Sequence, residues 1–502
     1  MPRLSPAAKL APPHPDDLRA ALERLLSGGA VEVFEQDKFL PQLAGFQFEV
    51  RAQASRVLLE LWSEQGNLVR QVMGVRESND SRLSLDVLRF GKKEPLRLEF
   101  ICKDSARKPE RLTRERFRAR FAQFLQEQFP DEKLESLTAA PDLEHSFSGN
   151  FTRGVLSRSG LQWALLAAAP GELPATLDGA LTFGLLWLAA VREQASRRVT
   201  SGLRLFLPEA ATTSAAFRLQ AISSDATIEL FAYDEATWRA RRISISDSGN
   251  VATRLTPLKE VQRTLEAAHA DVEKILALAP SAIDRVVPPG TKEVALRFRG
   301  LEFARWKSGA IEFGIEHRNR LTPAKWPQLQ KLVAKLETYR HPQAENTAHP
   351  VYRLAAERWL ETLLLKDPQR IDARLDPRHV YSQVPAFSSR DRGVLDLLAA
   401  TRDGRLVIIE LKASQDMHLP LQAADYWLRV RAHQHAGDLQ RFGYFSGIEL
   451  RDSPPLLYLI APGFQFHPTT DTILHALSAD IEVTRIGLNE NWRRGVQVIF
   501  RM

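Results

Sequence analysis

The strongest constraint on the fold of this chain is a pair of apolar runs in residues 393–412, separated by the turn sequence RDG at 402–404. Runs rich in Val, Ile and Leu around an Asp-Gly turn predict a β-hairpin. Because apolar residues occupy both alternating positions of each strand, we expect the hairpin to lie in a sheet covered on both faces. Asp396, Glu410 and Lys412 interrupt these runs. Ionised side chains are costly in such a place unless something compensates them.

The turn predicts the register of the two strands. A three-residue loop whose glycine is left-handed sets Thr401 opposite Arg405, and the same pairing sets Asp396 opposite Glu410. Lys412 then shares the face of Glu410, because side chains repeat every two residues along a strand.

The predicted pair of acids indicates a metal site. Residues directly opposite each other have Cβ atoms about 4.5–5.5 Å apart, so two carboxylates repel strongly there unless a cation lies between them. Asp396 and Glu410, with the Leu411 carbonyl as a further candidate, offer the hard oxygen ligands that suit Mg²⁺ or Mn²⁺.

Composition singles out Lys412. Residues 367–502 contain 15 arginines and one lysine, which is Lys412. A compact ammonium with a tunable pKa suits the orientation or deprotonation of a water beside a phosphate, whereas the rigid fork of arginine is not equivalent. An ordinary hairpin with a solvated Glu-Lys edge is the alternative interpretation.

A short pattern on the hairpin and the next helix resembles a known superfamily. The pattern is Asp396, then Glu410-Leu411-Lys412 at the end of the following strand, then Gln422 and Tyr426 on a helix. It resembles the PD-(D/E)XK nuclease superfamily, in particular its RecB-like branch with a QxxxY helix. The resemblance covers about residues 345–502, and leucine stands where the family name has proline. It implies a restriction-endonuclease-like α-β-β-β-α-β core with a mixed sheet.

The first helix of that core is predicted at residues 350–366, where apolar residues recur at helical spacing. Glu357 and Glu361 lie one turn apart at the edge of its apolar face. The resemblance implies that a glutamate of this helix reaches the metal, and we favour Glu357. Surface glutamates paired with Arg353 or Arg358 are the alternative.

A second helix is predicted at residues 418–435, after the acidic hairpin. His418, Gln422 and Tyr426 recur every four residues and form one stripe on it. The resemblance implies that Gln422 and Tyr426 line the site and position nucleic acid, with His418 as a weaker substrate-binding candidate. A polar flank on a packing helix is the alternative. Further strands are predicted at 380–387, 456–461 and 481–486, and a short helix at 471–477.

The whole chain predicts an α/β multidomain protein, since 502 residues suffice for two to four domains. Breaks in composition divide it into a first α/β domain at 1–140, a second at 141–285, a connector of β-hairpin and helix at 286–344, and the nuclease-like domain at 345–502. The first block contains four predicted strands, at 57–64, 67–75, 82–90 and 96–101, and a helix at 113–128.

The second block carries a faint echo of the C-terminal domain. A predicted strand at 161–168, a helix at 177–197 and a strand at 203–207 parallel the order from residue 406 to residue 461. No acid or lysine stands at the positions equivalent to Glu410 and Lys412. The echo indicates either a degenerate, non-catalytic copy that helps to hold substrate or a chance similarity between two α/β units.

Two other segments are candidate contacts for nucleic acid. The helix at 113–128 and its approach are basic, with Phe117, Phe121, Phe124 and Leu125 as the predicted buried face. The basic residues are Lys103, Arg107, Lys108, Arg111, Arg114, Arg116, Arg118 and Arg120. The segment 293–316 interleaves aromatic residues with arginines, which either stack on bases or form the core and rim of a small sheet.

The composition of the chain limits the kinds of site, cellular location and partner that we expect for it. The single cysteine excludes internal disulfides and Cys-based zinc sites. We find neither a signal peptide nor a transmembrane span, which predicts a soluble cytoplasmic protein without a membrane partner. A net charge of +7 and a pI near 9.5 are compatible with a polyanionic partner.

The resemblance therefore implies a metal-dependent nuclease that hydrolyses DNA. In this interpretation Asp396 and Glu410 bind one or two Mg²⁺ or Mn²⁺ ions, Lys412 positions and activates water, and Glu357 or Glu361 assists. A non-hydrolytic nucleic-acid-binding or scaffolding protein is the alternative, and a metal-dependent enzyme with another substrate is a third. No Walker loop, GxGxxG or GxSxG motif supports ATP-driven or hydrolase chemistry of another kind.

Overall fold

The protein is described by a computed structural model. It describes residues 12–27, 31–36, 38–40, 43, 46–53, 56–62, 67–79, 81–89, 94–102, 111–142, 145–194, 198–225, 227–234, 237–245, 255–385 and 394–502. The chain divides into two compact units, residues 1–120 with 171–173, and residues 121–170 with 174–502. Lys103, Arg107 and Lys108, like the side chain of Arg111, lie outside the described residues.

The first unit contains helix α1 (Pro15–Ser27) and sheet 1, an antiparallel sheet of seven strands in the order β2-β1-β7-β6-β5-β4-β3. The strands are β1 (Val31–Glu35), β2 (Lys38–Phe39), β3 (Gln47–Gln53), β4 (Arg56–Trp62), β5 (Asn67–Ser78), β6 (Arg82–Leu88) and β7 (Leu96–Cys102). The four strands predicted in this block correspond to β4–β7. Apolar side chains from one face of the sheet pack with α1.

Sheet 2 begins the second unit and has six strands in the order β13-β12-β11-β10-β9-β8. Helix α2 (Arg111–Gln128) precedes it along the chain, and its predicted apolar residues, from Phe117 to Leu125, are buried. The strands are β8 (Lys133–Thr138), β9 (Phe151–Arg158), β10 (Leu161–Ala168), β11 (Val199–Pro208), β12 (Ile228–Asp234) and β13 (Arg239–Ile243). The helices are α3 (Pro174–Asp178), α4 (Ala180–Gln194) and α5 (Glu209–Leu219). The boundary predicted at 140 falls after β8, which pairs with β9.

Sheet 3 is a small antiparallel sheet of five strands that follows helix α6 (Leu258–Leu276). Its strands are β14 (Ile283–Val286), β15 (Glu293–Phe298), β16 (Leu301–Lys307), β17 (Ala310–Phe313) and β18 (Asn319–Arg320), and helix α7 (Trp326–Tyr339) follows. Phe298, Phe303 and Trp306 are buried in the core between this sheet and its helices. The interpretation of these aromatic side chains as base-stacking groups is therefore wrong, and the alternative of a small core is confirmed.

Sheet 4 has six strands in chain order, from β19 to β24. They are β19 (Leu375–Pro385), β20 (Val394–Thr401), β21 (Leu406–Leu411), β22 (Leu456–Pro462), β23 (Val483–Leu488) and β24 (Val498–Arg501). The helices are α8 (Pro350–Arg353), α9 (Ala356–Lys366), α10 (Leu419–His435), α11 (Asp438–Arg441) and α12 (Thr470–Leu474). The first strand begins five residues before the predicted position 380.

The helix predicted at 350–366 is broken in two, because Ala355 is left-handed with a φ of 46°. The buried guanidinium of Arg340 explains the break. It donates to the carbonyls of Leu354 and Ala355, at 2.6 and 3.2 Å, and so satisfies acceptors at the junction from outside the helix. The prediction of one continuous helix is wrong at this point.

Sheets 2 and 4 have the same connectivity. In each sheet the first three strands pair antiparallel, the third, fourth and fifth pair parallel, and the last pairs antiparallel. Each parallel pair is joined through helical segments that include α4 and α5 in sheet 2, and α10 and α12 in sheet 4. Both sheets are therefore mixed.

Sheet 4 is covered on both faces, as the apolar runs of the hairpin predicted. Helices α10 and α12 pack on one face, in a continuous core that also contains α4, α5 and one face of sheet 2. Helix α9 packs on the other face with Trp359 and Leu360. Every residue of β21 is buried. In the described part of the chain, no helix has both the length and the apolar character needed to cross a membrane.

Candidate active site

The hairpin of β20 and β21 has the predicted loop and register. Ala400 pairs with Leu406 and Leu397 with Ile409, and the same register, continued by one pair, sets Asp396 opposite Glu410. Gly404 is left-handed with a φ of 84°. A Cβ at this glycine would lie 2.0 Å from the carbonyl oxygen of Glu449, so the turn also requires glycine for space.

Asp396 is the third residue of β20, and its side chain is buried, with 8% of the residue exposed. Its Oδ2 accepts a hydrogen bond from the Leu411 backbone N–H at 2.9 Å, which ties the two strands together at the site. Its Oδ1 accepts from Arg358 Nη1 at 3.3 Å. Burial raises the pKa of Asp396 to about 6, against the opposing effect of the Arg358 guanidinium.

Glu410 is 2% exposed. It follows Leu406 and Ile408 on the face that packs against α10. Burial, and then the Asp396 carboxylate, raise the pKa of Glu410 well above its usual range. Its Oε2 atom is buried and has no hydrogen-bond partner among the described residues. The site therefore contains a carboxylate oxygen that lacks the compensation its burial requires.

Lys412 lies beside these acids. Its Nζ is 3.7 Å from Glu410 Oε1 and 3.5 Å from Asp416 Oδ2. Burial alone lowers the pKa of Lys412, but the surrounding carboxylates, Glu410 and Glu357 foremost, raise it above its usual range. The neighbouring carboxylates thus favour the ammonium form of Lys412, which is suited to stabilising negative charge.

The structure separates the two candidate glutamates of α9. Glu357 acts electrostatically on both Glu410 and Lys412, and its Oε1 is 3.5 Å from the Ala413 N–H. Glu361 is buried and lies 2.6 Å from Arg358 Nη1 and 3.7 Å from Arg297 Nη1. Glu361 is thus paired with arginines, whereas Glu357 is turned towards the hairpin.

Tyr426 lies near the acids, and Gln422 contacts Tyr426. Gln422 Nε2 donates to the Tyr426 hydroxyl at 3.2 Å. Burial and the Glu410 carboxylate raise the pKa of that hydroxyl. His418 has a different environment, because its Nδ1 is hydrogen-bonded to Thr182 Oγ1 at 2.9 Å and its ring packs against Phe183. The predicted stripe thus divides, with two residues at the acids and His418 against helix α4.

The side chains around Glu410 fit Mg²⁺ or Mn²⁺ in part. Among the described residues, no three His, Cys, Asp or Glu side chains are grouped closely enough to hold a metal ion. Two observations nevertheless fit a hard cation, namely the unpartnered Oε2 of Glu410 and the raised pKa values of Glu410 and Asp396. A divalent cation would neutralise both carboxylates where burial otherwise favours their protonation.

The sequence named Arg358 only as an alternative partner of the α9 glutamates, and it gave no role to Asp416 and Phe464. The structure confirms that Arg358 pairs with Glu361 and shows that it also contacts Asp396, so that it bridges the two acids. Asp416 lies four residues after Lys412 and pairs with it. Phe464, between β22 and α12, is 79% exposed, and its carbonyl accepts a hydrogen bond from Gln415 Nε2 at 3.3 Å.

Comparisons with models of known protein families and with curated proteins find no match to this chain.

Proposed function

We propose that sheet 4 and its helices form a metal-dependent nuclease that hydrolyses phosphodiester bonds of DNA with Mg²⁺ or Mn²⁺. The observation that carries the proposal is the Glu410 carboxylate, which is almost completely buried beside Asp396 and Lys412 and has one oxygen without a partner. The order of α9, β19, β20, β21, α10 and β22 supports a restriction-endonuclease-like core. The resemblance of this region to PD-(D/E)XK nucleases supports DNA as the substrate.

Each residue has a role in this proposal. Asp396 and Glu410 would hold the cation, with the Leu411 carbonyl as a further candidate ligand, and the Leu411 N–H keeps Asp396 in place. Bound there, the cation would supply Lewis-acid stabilisation of charge on the phosphate. Lys412, held as an ammonium, stabilises the negative charge that develops on the phosphate oxygens and orients the attacking water. Glu357 assists from α9, and Gln422 and Tyr426 position the nucleic-acid backbone.

The roles of two predicted residues change in this proposal. Glu361 supports the site indirectly, since it holds Arg358, which in turn contacts Asp396. His418 anchors the start of α10 to helix α4 through Thr182 and does not bind substrate.

The test is cleavage of DNA by the purified full-length chain. Supercoiled plasmid, linear duplex and single-stranded DNA are incubated with Mg²⁺, Mn²⁺ or EDTA, alongside Asp396→Asn and Lys412→Ala. Asp403→Asn is the matched control, because Asp403 lies in the loop at the far end of the same hairpin and is more than half exposed. We expect metal-dependent cleavage that both site variants abolish and the control retains.

Three outcomes would contradict the proposal. Cleavage that persists in EDTA excludes the metal, and cleavage that survives both site substitutions excludes these residues. Binding of DNA without cleavage of any substrate would favour the non-hydrolytic binding protein instead.

A further inference from the structure

Sheet 2 contains a position-by-position counterpart of the acidic hairpin. The pair of residues that closes the hairpin turn is Thr401 and Arg405 in sheet 4. In sheet 2 the corresponding pair is Arg158 and Leu161. Counted from these pairs, the counterparts of Asp396, Glu410 and Lys412 are Arg153, Leu166 and Ala168. Arg153 and Leu166 are paired across the strands, in the register that sets Asp396 opposite Glu410. The hairpin of sheet 2 turns through two residues, Ser159 and Gly160, instead of three, and it lacks the acids at the fifth pair beyond the pair that closes the turn.

The counterpart position in sheet 2 is filled by packed side chains. Arg153 is 5% exposed and donates through Nη1 to the Ala140 carbonyl at 2.8 Å. Its guanidinium lies 4.8 Å from the ring centroid of Phe147 and 5.6 Å from that of Trp187. Trp187 lies on α4 and stands eight residues after Gly179, as Tyr426 stands eight residues after His418. An arginine stacked on aromatic rings replaces the acids, so sheet 2 offers no second carboxylate pair.

Sheets 2 and 4 contact each other through equivalent residues. Ile222 and Leu477 form an antiparallel bridge, and each lies three residues after a helix, α5 ending at Leu219 and α12 ending at Leu474. Hydrogen bonds on both sides of the bridge are reciprocal. Ser223 N–H donates to the Ala476 carbonyl at 2.9 Å, and Ser478 N–H donates to the Ala221 carbonyl at 2.8 Å. An interface in which equivalent residues meet each other is the signature of a twofold axis.

The starts of α4 and α10 repeat this relation. Gly179 and His418 are the residues immediately before these helices, and they contact each other. A Cβ on Gly179 would lie only 2.8 Å from His418 Cε1. The cross contacts are also reciprocal, since α4 contacts α12 and α10 contacts α5. Together with the shared core, these contacts make the two sheets and their helices an intramolecular dimer about a pseudo-twofold axis.

The pseudo-twofold arrangement of sheets 2 and 4 bears on how the chain would cut a DNA duplex, an inference that rests on the proposed function. The two strands of duplex DNA are themselves related by local twofold axes, so a twofold pair of catalytic centres can address one strand each. This intramolecular dimer has the acidic set at one of the two equivalent positions only. We propose that the chain binds duplex DNA and hydrolyses one phosphodiester bond, in one strand, per encounter.

The step is a hydrolysis. The oxygen of water forms a bond to phosphorus, one P–O ester bond breaks, and the proton lost by water balances the proton taken up by the leaving oxygen. The products are a phosphate monoester and a hydroxyl at a nick, and the opposite strand remains intact.

The experiment is a time course on supercoiled plasmid with the full-length chain and Mg²⁺ or Mn²⁺. We expect open-circular plasmid to accumulate as the supercoiled form is lost, with linear plasmid appearing only after a lag, as nicks on opposite strands come to lie near each other. Linear plasmid formed without an open-circular intermediate would overturn the inference and leave the proposed nuclease intact. Cleavage of single-stranded DNA alone would do the same. No cleavage of any DNA would contradict the proposed function itself.

Two variants test whether one centre is responsible. Lys412→Ala should lose nicking completely. Arg153→Met, which removes the guanidinium from the counterpart position, should nick at the rate of the natural chain. A folded Arg153→Met protein, judged by circular dichroism, that has lost nicking would show that sheet 2 takes part in the reaction and would overturn the inference. So would nicking whose initial rate rises more steeply than in proportion to protein concentration, because two chains would then act together.

Discussion

Sheet 2 and sheet 4 share one connectivity but carry side chains of opposite charge at corresponding positions of their hairpins. In sheet 2, Arg153 is buried between aromatic rings and bonded to a backbone carbonyl. In sheet 4, Glu410 is buried beside Asp396 and has an oxygen without a partner. Burial opposes the charge at both places, since it lowers the pKa of Arg153, whose Nε has no partner among the described residues, and raises the pKa values of Asp396 and Glu410. Sheet 4 adds the repulsion between two acids that lie opposite each other. Groups that cost folding energy and share one cleft are characteristic of functional sites.

The largest expected effect is the loss of cleavage in Glu410→Gln. The amide keeps the shape of the side chain but lacks the negative charge that attracts a cation, so we expect cleavage to fall about 10³-fold or more. The free energy of unfolding at neutral pH should stay constant or rise, because a buried charge is removed. Plasmid cleavage rates and urea unfolding measure the two effects.

Glu229→Gln in sheet 2 is the matched control. Glu229 accepts from Arg204 Nε at 2.8 Å and pairs with Arg242 at 3.2 Å, so its loss should lower stability without changing cleavage. The contrast between the two sheets fails if Glu410→Gln destabilises the protein as much as Glu229→Gln does.

The next effect concerns the dependence of stability on pH. The pKa of Asp396 is about 6 in the folded protein and 3.8 for an ordinary aspartate, so the folded state binds more protons between these values. The free energy of unfolding should therefore fall as pH rises through this window, by about 3 kcal/mol for this group. Urea unfolding between about pH 4 and about pH 7 measures this effect. The free energy of unfolding should fall by about 3 kcal/mol less in Asp396→Asn than in the natural chain. Equal slopes in the two proteins would contradict the buried, uncompensated state of Asp396.

Stabilisation of the chain by a metal ion should depend on the acids of sheet 4 and not on those of sheet 2. A cation that binds the folded state alone raises the free energy of unfolding by about 2.7 kcal/mol at about 100 times its Kd. We expect Mg²⁺ or Mn²⁺ to raise the Tm of the natural chain and of Glu229→Gln, and chelation with EDTA to reverse the shift. Asp396→Asn and Glu410→Gln should show no such shift. A shift of equal size in all four proteins would place the cation elsewhere.

The smallest effect tests how sheet 2 supports sheet 4. Arg218 on α5 is 3.3 Å from Asp425, which lies on α10 between Gln422 and Tyr426. Asp425 keeps a second partner, Arg429 at 2.8 Å, so Arg218→Ala should lower the free energy of unfolding by only about 1–2 kcal/mol. We expect kcat for cleavage to fall with KM unchanged, since α10 would position Tyr426 less well.

Arg242→Ala is the control for Arg218→Ala. Arg242 also pairs with an acid, Glu229, but its side chain is 64% exposed and it contacts no part of the site. It should change neither kcat nor stability by more than a few tenths of a kcal/mol. If Arg218→Ala instead raised KM and left kcat unchanged, Arg218 would be assigned to contact with DNA rather than to the positioning of α10.

Local signals predicted the parts of the site that lie close together in the chain. The RDG loop and the two-residue period of the strands were sufficient for the register that sets Asp396 opposite Glu410, because turn type determines pairing over a few residues. The bounds of β10 and β22 agreed with prediction to within one residue for the same reason. The break at Ala355 was not predictable, since alanine is the best helix former and the cause, Arg340, follows helix α7 and lies 15 residues earlier, outside the range of helical periodicity.

The sequence by itself determined the acidic hairpin, the lone lysine beside it, and the QxxxY spacing on the following helix, since all of these depend on neighbours along the chain. Only the tertiary structure decided that Glu357 faces the hairpin while Glu361 pairs with arginines, and that His418 contacts Thr182. It also decided that the first strand of the echo at residues 161–207 pairs with β9, which has Arg153 in place of the acid. These outcomes depend on packing between different elements, from neighbouring strands of a hairpin to helices 236 residues apart in the case of His418 and Thr182, which turn chemistry and periodicity do not encode.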